Sequence, residues 1–76
     1  PNLQVAYAYH NLGNVHFRQK NYNKALDHYN KALDVKLEVF GGNANHPGMA
    51  LTYKNLGAVF LEQGKYAKAV FYSSKA

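Results

Sequence analysis

Cysteine is absent from the 76 residues, which excludes disulfide scaffolds, thiolate metal sites and cysteine nucleophiles together. A domain this small that lives outside the cell usually needs disulfides, so their absence favours a cytoplasmic location. Long apolar runs are missing too. Hydrophobic residues make up 47% of the chain, but no stretch approaches the ~20 consecutive apolar residues that span a bilayer. Pro1-Asn2-Leu3-Gln4 has neither the basic nor the apolar region of a signal peptide. No membrane or secreted reading is therefore expected. Carboxylates are scarce, being only Asp27, Asp34, Glu38 and Glu62. The first three share one stretch at helical spacing with Lys24 and Lys31 beside them, which reads as a solvated stripe. Ser73 and Ser74 have no evident base. Gly41-Gly42 lacks the preceding strand and the Lys-Ser/Thr pair of a phosphate loop. Neither an enzyme nor a cofactor is expected.

What is present begins with charge. The formal net charge is +5, and a nucleic-acid surface would need the basic residues gathered on one face. Arg18, Lys20, Lys24, Lys31, Lys36, Lys54, Lys65, Lys68 and Lys75 are instead spread along the chain, mostly at expected helix ends and outer faces. A solvated surface fits this spread better than a nucleic-acid footprint, and an acidic peptide partner lies between the two. Four histidines, His10, His16, His28 and His46, raise a metal reading. Two ligands on one helix want a spacing of three or four, whereas His10 and His16 are six apart. No metal site is expected, and His46, next to Pro47, is assigned to capping or packing.

The chain is internally repeated. Shifted by 44 residues, positions 1–32 fall on 45–76 with twelve identities and no gap. The pairs include Tyr9/Tyr53, Asn11/Asn55, Leu12/Leu56, Gly13/Gly57, Val15/Val59, Gln19/Gln63, Tyr22/Tyr66 and Ala25/Ala69. Within each copy, Ala6, Tyr9, Leu12, Gly13 and Phe17 (and Ala50, Tyr53, Leu56, Gly57 and Leu61) recur at steps of three and four, the spacing of a helical face. Lys20-Asn21 and Gly64-Lys65 interrupt the pattern, Asn and Gly being the residues that tolerate a left-handed helix end. A second helix carries Tyr22, Ala25, Leu26, Tyr29, Ala32, Leu33, Val35, Lys36, Leu37 and Phe40 and stops at Gly41-Gly42. Pro47 suits the first turn of the next helix. The expected units are 1–44, with helices over about 3–19 and 22–40 and a loop at 41–46, and 45–76, with helices over about 47–63 and 66–76.

Gly13 and Gly57 stand mid-helix, where glycine costs about 1 kcal/mol against alanine. Its presence in both copies predicts a close approach of the neighbouring helix, with Ala25 and Ala69 the expected contacts. Tyr9, Leu12, Tyr29 and Leu33 would fill the wider parts of the same interface.

Tyr9-x-x-Leu12-Gly13-x-x-His16 followed by Ala25, Tyr29 and Ala32, with Tyr53, Leu56, Gly57, Phe60, Ala69 and Ala76 in the second copy, resembles the tetratricopeptide repeat signature. His16 and Ser73 depart from it, each standing where an aromatic residue is usual or is present in the other copy. The period of 44 exceeds the usual 34 and is similar to the long-repeat subgroup typified by kinesin light chains. The resemblance implies an all-α fold, two tandem helix-turn-helix repeats forming a short right-handed solenoid. It further implies an interaction scaffold that receives a peptide or helix of a partner protein in a concave groove lined by the first helices. Tyr7, His10, Asn11, Asn14, Phe17 and Arg18 match the groove positions, as do Leu51, Lys54, Asn55, Ala58, Leu61 and Glu62 in the second copy.

Asn11 and Asn55 are the leading candidates, because an amide offers both a donor and an acceptor to a peptide backbone. An amide can equally bond the neighbouring helix and fix the stacking of the units. Some members of the family grip a C-terminal carboxylate with a lysine and asparagines. Asn14 and Asn55 occupy two such positions, but His10 replaces the lysine, so this clamp is not expected. The second helix of the second unit is shorter than that of the first, which leads to the expectation of a piece cut from a longer array. Exposed Val70, Phe71 and Tyr72 then suggest a homodimer, through the terminal helices or by hairpin exchange about Gly41–His46. The alternative function is a structural solenoid segment that only self-associates or positions other domains.

Overall fold

The computed structural model describes residues 2–76. Four α-helices follow one another, α1 (Leu3–Arg18), α2 (Tyr22–Val39), α3 (Ala50–Glu62) and α4 (Tyr66–Lys75), with a short 3-10 turn (Pro47–Met49) leading into α3. α1 pairs with α2 and α3 with α4, and α3 also lies against α2. This is the tandem helical-hairpin architecture expected of the sequence.

Local chemistry sets the ends of each helix. Asn2 caps α1, its side-chain oxygen accepting from the Val5 N–H at 3.0 Å. α1, α2 and α3 all finish in the same double-bonded turn. In α1 the Lys20 N–H donates to Phe17 and the Asn21 N–H to His16, and Gly64/Lys65 and Gly41/Gly42 repeat this geometry after α3 and α2. The left-handed residue of the first turn is Lys20, at φ 62°, not Asn21 as its side chain suggests. Its equivalent is Gly64, at φ 75°.

The start of the second unit differs from a simple helix beginning at Pro47. His46 both caps and packs, its Nδ1 accepting from the Gly48 N–H at 2.9 Å while its ring stacks on Phe40 at 3.9 Å. That lock holds the first turn in the tighter 3-10 form, and the α-helix begins at Ala50.

Ala25, Tyr29, Leu56 and Val59 form the core where the units meet, and Phe17, Tyr22, Leu26, Leu33 and Tyr72 pack against it. The repeated glycines do mark close approaches, but to other partners than Ala25 and Ala69 alone. A Cβ on Gly13 would lie 2.6 Å from the ring of Tyr29. On Gly57 it would meet the Ser73 hydroxyl at 2.6 Å and the Ala69 carbonyl at 3.2 Å. Tyr29 and Ser73 are themselves equivalent positions, one helical turn beyond the two alanines. Leu12 was expected between α1 and α2 but is exposed, whereas its equivalent Leu56 is buried against α2. Leu56 faces the first unit rather than its own hairpin partner, and Leu12, in the same position on α1, is left exposed.

Candidate interaction surface

The positions singled out on α1 and α3 fall into four groups. His10 and Asn55 come together across the two units, with the Asn55 amide nitrogen 3.1 Å from His10 Nε2. The Asn55 amide thus links neighbouring first helices, while Asn11, its equivalent, is exposed. Asn14 accepts a hydrogen bond from the Tyr29 hydroxyl and so ties α1 to α2.

Phe17 turns away from this face. It packs on the core and on Tyr22, with ring centroids 5.8 Å apart. Four residues after Gly13 on a helix is the same side as the glycine, hence the α2 side. Lys54, Ala58 and Leu61 line a mostly apolar groove of about 340 Å³ between α3 and α4, together with Gly57, Ala69, Val70 and Ser73. Tyr7, Arg18, Leu51 and Glu62 are exposed.

Behind the His10–Asn55 pair lies a residue that sequence reasoning assigned to the solvated surface. Lys36 is buried, and its ammonium donates to the Thr52 hydroxyl at 2.9 Å and to the Gly48 carbonyl at 3.2 Å. It thereby ties α2 to the start of the second unit. Burial lowers its pKa, since the charged form loses water without gaining a carboxylate. The pKa of His10 is lowered as well, first by its own burial and then by repulsion from Lys36. Both effects favour neutral imidazole, the form whose Nε2 can accept from an amide. The signal for Lys36 was available in its spacing, since it falls three and four residues beyond Leu33 and Ala32 on the apolar face of α2.

The remaining histidines are used for packing. His16 stacks on His28 at 5.0 Å, and the His28 Nδ1 lies 2.9 Å from the Lys24 carbonyl. Among the described residues, no group of three or more His, Cys, Asp or Glu side chains is placed to hold a metal ion. No helix there is long and apolar enough to cross a membrane.

Two antiparallel helical pairs of the same sequence pattern, stacked through a shared core and presenting the faces of their first helices, define an α-hairpin repeat protein. The family model described as tetratricopeptide repeat matches residues 4–76, and the chain belongs to that family. No curated protein and no solved structure gives a significant match. Tetratricopeptide repeats generally mediate protein–protein interaction and are a non-catalytic scaffold type.

Proposed function

We infer that the chain binds a peptide or helix of a partner protein across the exposed faces of α1 and α3. The observation that carries this reading is the surface around the His10–Asn55 pair. There exposed apolar side chains, Tyr7 and Leu51, lie on the same two helices as exposed Asn11 and Lys54. A peptide needs both, apolar contacts for affinity and donors and acceptors for its backbone. Arg18 and Lys54 are exposed on these helices, and the overall charge of +5 favours an acidic ligand. The period of 44 supports placing the chain in the long-repeat subgroup similar to kinesin light chains, and the lack of cysteine supports a cytoplasmic setting.

The test is an NMR titration of the labelled chain with acidic peptides of graded length. Shifts at Tyr7, Asn11, Leu51 and Lys54, abolished in Tyr7→Ala/Leu51→Ala without loss of melting temperature, are the expected result. Shifts that survive the double substitution would overturn this site.

Self-association is a second reading. It is favoured by α4, which leaves Tyr66, Val70 and Phe71 exposed.

A further inference from the structure

The interface between the two units is made of parts that the chain displays a second time without partners. On the side of the 3-10 turn and α3 that enters the first unit, Met49, Thr52, Leu56 and Val59 are buried. Their equivalents 44 residues earlier are Val5, Ala8, Leu12 and Val15. There the exposure is 46% for Leu12 and 47% for Val15, against 1% for Leu56 and 0% for Val59. α1 therefore presents the same apolar ridge that α3 inserts.

Part of the receiving half is duplicated as well, although Leu33, which also packs on this core, has no equivalent 44 residues later. In the first unit, Ala25 and Tyr29 with the adjoining Phe17 and Leu26 accept Leu56 and Val59. The equivalents of these four are Ala69, Ser73, Leu61 and Val70, and all four line the groove of about 340 Å³ between α3 and α4. The described residues thus carry one filled copy of the interface, one exposed ridge and part of a second groove.

We propose that the chain stacks head to tail on further copies of itself, the Leu12–Val15 ridge of α1 in one copy seating in the α3–α4 groove of the next. This rests on the self-association reading and gives it a geometry. The contact is heterologous, so it leaves one ridge and one groove free after each addition and builds an open array rather than a closed dimer. Polar matching is retained in part. Asn55 meets His10 inside the chain, and the equivalent pair between copies is Asn11 with Lys54, an acceptor facing a donor. Three contacts are lost. Lys36, which donates to Thr52 and to the Gly48 carbonyl, has no equivalent 44 residues later, and Asn23, which accepts from Gln63, is matched by Ala67. Ser73 in place of Tyr29 also leaves the groove less filled than its internal counterpart. The intermolecular contact is accordingly weaker than the internal one, and association is concentration-dependent.

The experiment uses two variants that each remove one half, Leu12→Glu for the ridge and Val70→Glu for the groove, both at exposed positions. Circular dichroism verifies folding, and Leu12→Lys with Val70→Lys serves as a second pair. In sedimentation velocity the unaltered chain should grow past the dimer as concentration rises. Each variant alone should associate at least tenfold more weakly. An equimolar mixture of the two should form a heterodimer and stop there, because only one intact ridge faces one intact groove. An unaltered chain that stays monomeric at millimolar concentration would remove both this geometry and self-association itself. Association that persists in the single variants, or a mixture that stays monomeric, would remove the head-to-tail geometry alone.

Discussion

The two units carry the same residues into different surroundings, and their differences separate what a helix needs from what a stack needs. Gly13 is opposed by a buried tyrosine ring, Gly57 by a small hydroxyl. Leu12 is exposed and Leu56 buried. The first turn closes on a lysine in left-handed conformation, the second on a glycine. Conformation is repeated in each case, while the energy stored at equivalent positions is not. A residue's contribution is set by whether another layer covers it, so paired substitutions at equivalent positions read out the stack directly.

The largest separation is expected at the leucines. Leu56→Ala removes a fully buried side chain from the core between units and should cost about 2–5 kcal/mol. Leu12→Ala acts at an exposed site and should stay within about 0.5 kcal/mol in dilute solution. Urea unfolding of both variants at low concentration makes the comparison, and equal losses would break the layered picture. Next come the glycines. In Gly13→Ala the new methyl presses on a ring that is buried and held by Asn14, so overpacking should cost about 1–3 kcal/mol. In Gly57→Ala the Ser73 hydroxyl can rotate aside, and the Ala69 carbonyl and the Ser73 backbone nitrogen, at 3.2 and 3.3 Å, need give by only a few tenths of an ångström. The gain in helix propensity, about 1 kcal/mol, offsets that. A near-neutral Gly57→Ala beside a damaging Gly13→Ala is the expected thermal-melting result.

The turns give a smaller, opposite effect. Lys20→Gly relieves the left-handed backbone at φ 62° and should stabilise by up to about 1 kcal/mol. Gly64→Ala should destabilise by about the same amount, because it introduces a Cβ at φ 75°. Melting temperatures moving in the same direction for these two would contradict the equivalence of the turns.

The hairpins were legible because apolar steps of three and four appear twice in register, and a signal seen twice is hard to produce by accident. What was not legible is which neighbour each apolar residue meets. In stacked hairpins the first helix has two apolar sides, one towards its own partner and one towards the adjoining unit. Periodicity marks both alike, so it places Leu12 between α1 and α2 and leaves Phe17 both on the apolar face and among the groove positions, where the structure keeps only the first for Phe17. The left-handed residue was placed on Asn21 by residue preference, although alignment with Gly64 identifies position 20. Lys36 eluded the reading for a different reason. A lysine is assigned to solvent unless acceptors are known, and those it uses, Thr52 and the Gly48 carbonyl, are remote in sequence.

The smallest expected effect concerns acid, and it separates His10 from its equivalent Lys54. His10 is partly buried beside Asn55 and near the Lys36 charge, and the Tyr29 ring covers it at 5.6 Å. Lys54 is exposed. Because burial and Lys36 depress the folded-state pKa of His10, the unfolded chain takes up this proton first as pH falls. At pH well above about 6.5 both states are neutral at this site and it adds no pH dependence. Between that value and the depressed folded pKa, stability is lost as pH falls, since ν is larger in the unfolded state. Once protonated, the ring also loses the lone pair that accepts from Asn55. His10→Gln keeps an acceptor for the amide and removes the titration. Its melting temperature should therefore fall less than that of the unaltered chain between pH 7 and pH 5. Parallel pH profiles would show that the His10–Asn55 contact does not depend on a neutral ring. A steeper fall in the unaltered chain would make this link between the units the acid-sensitive point of the stack.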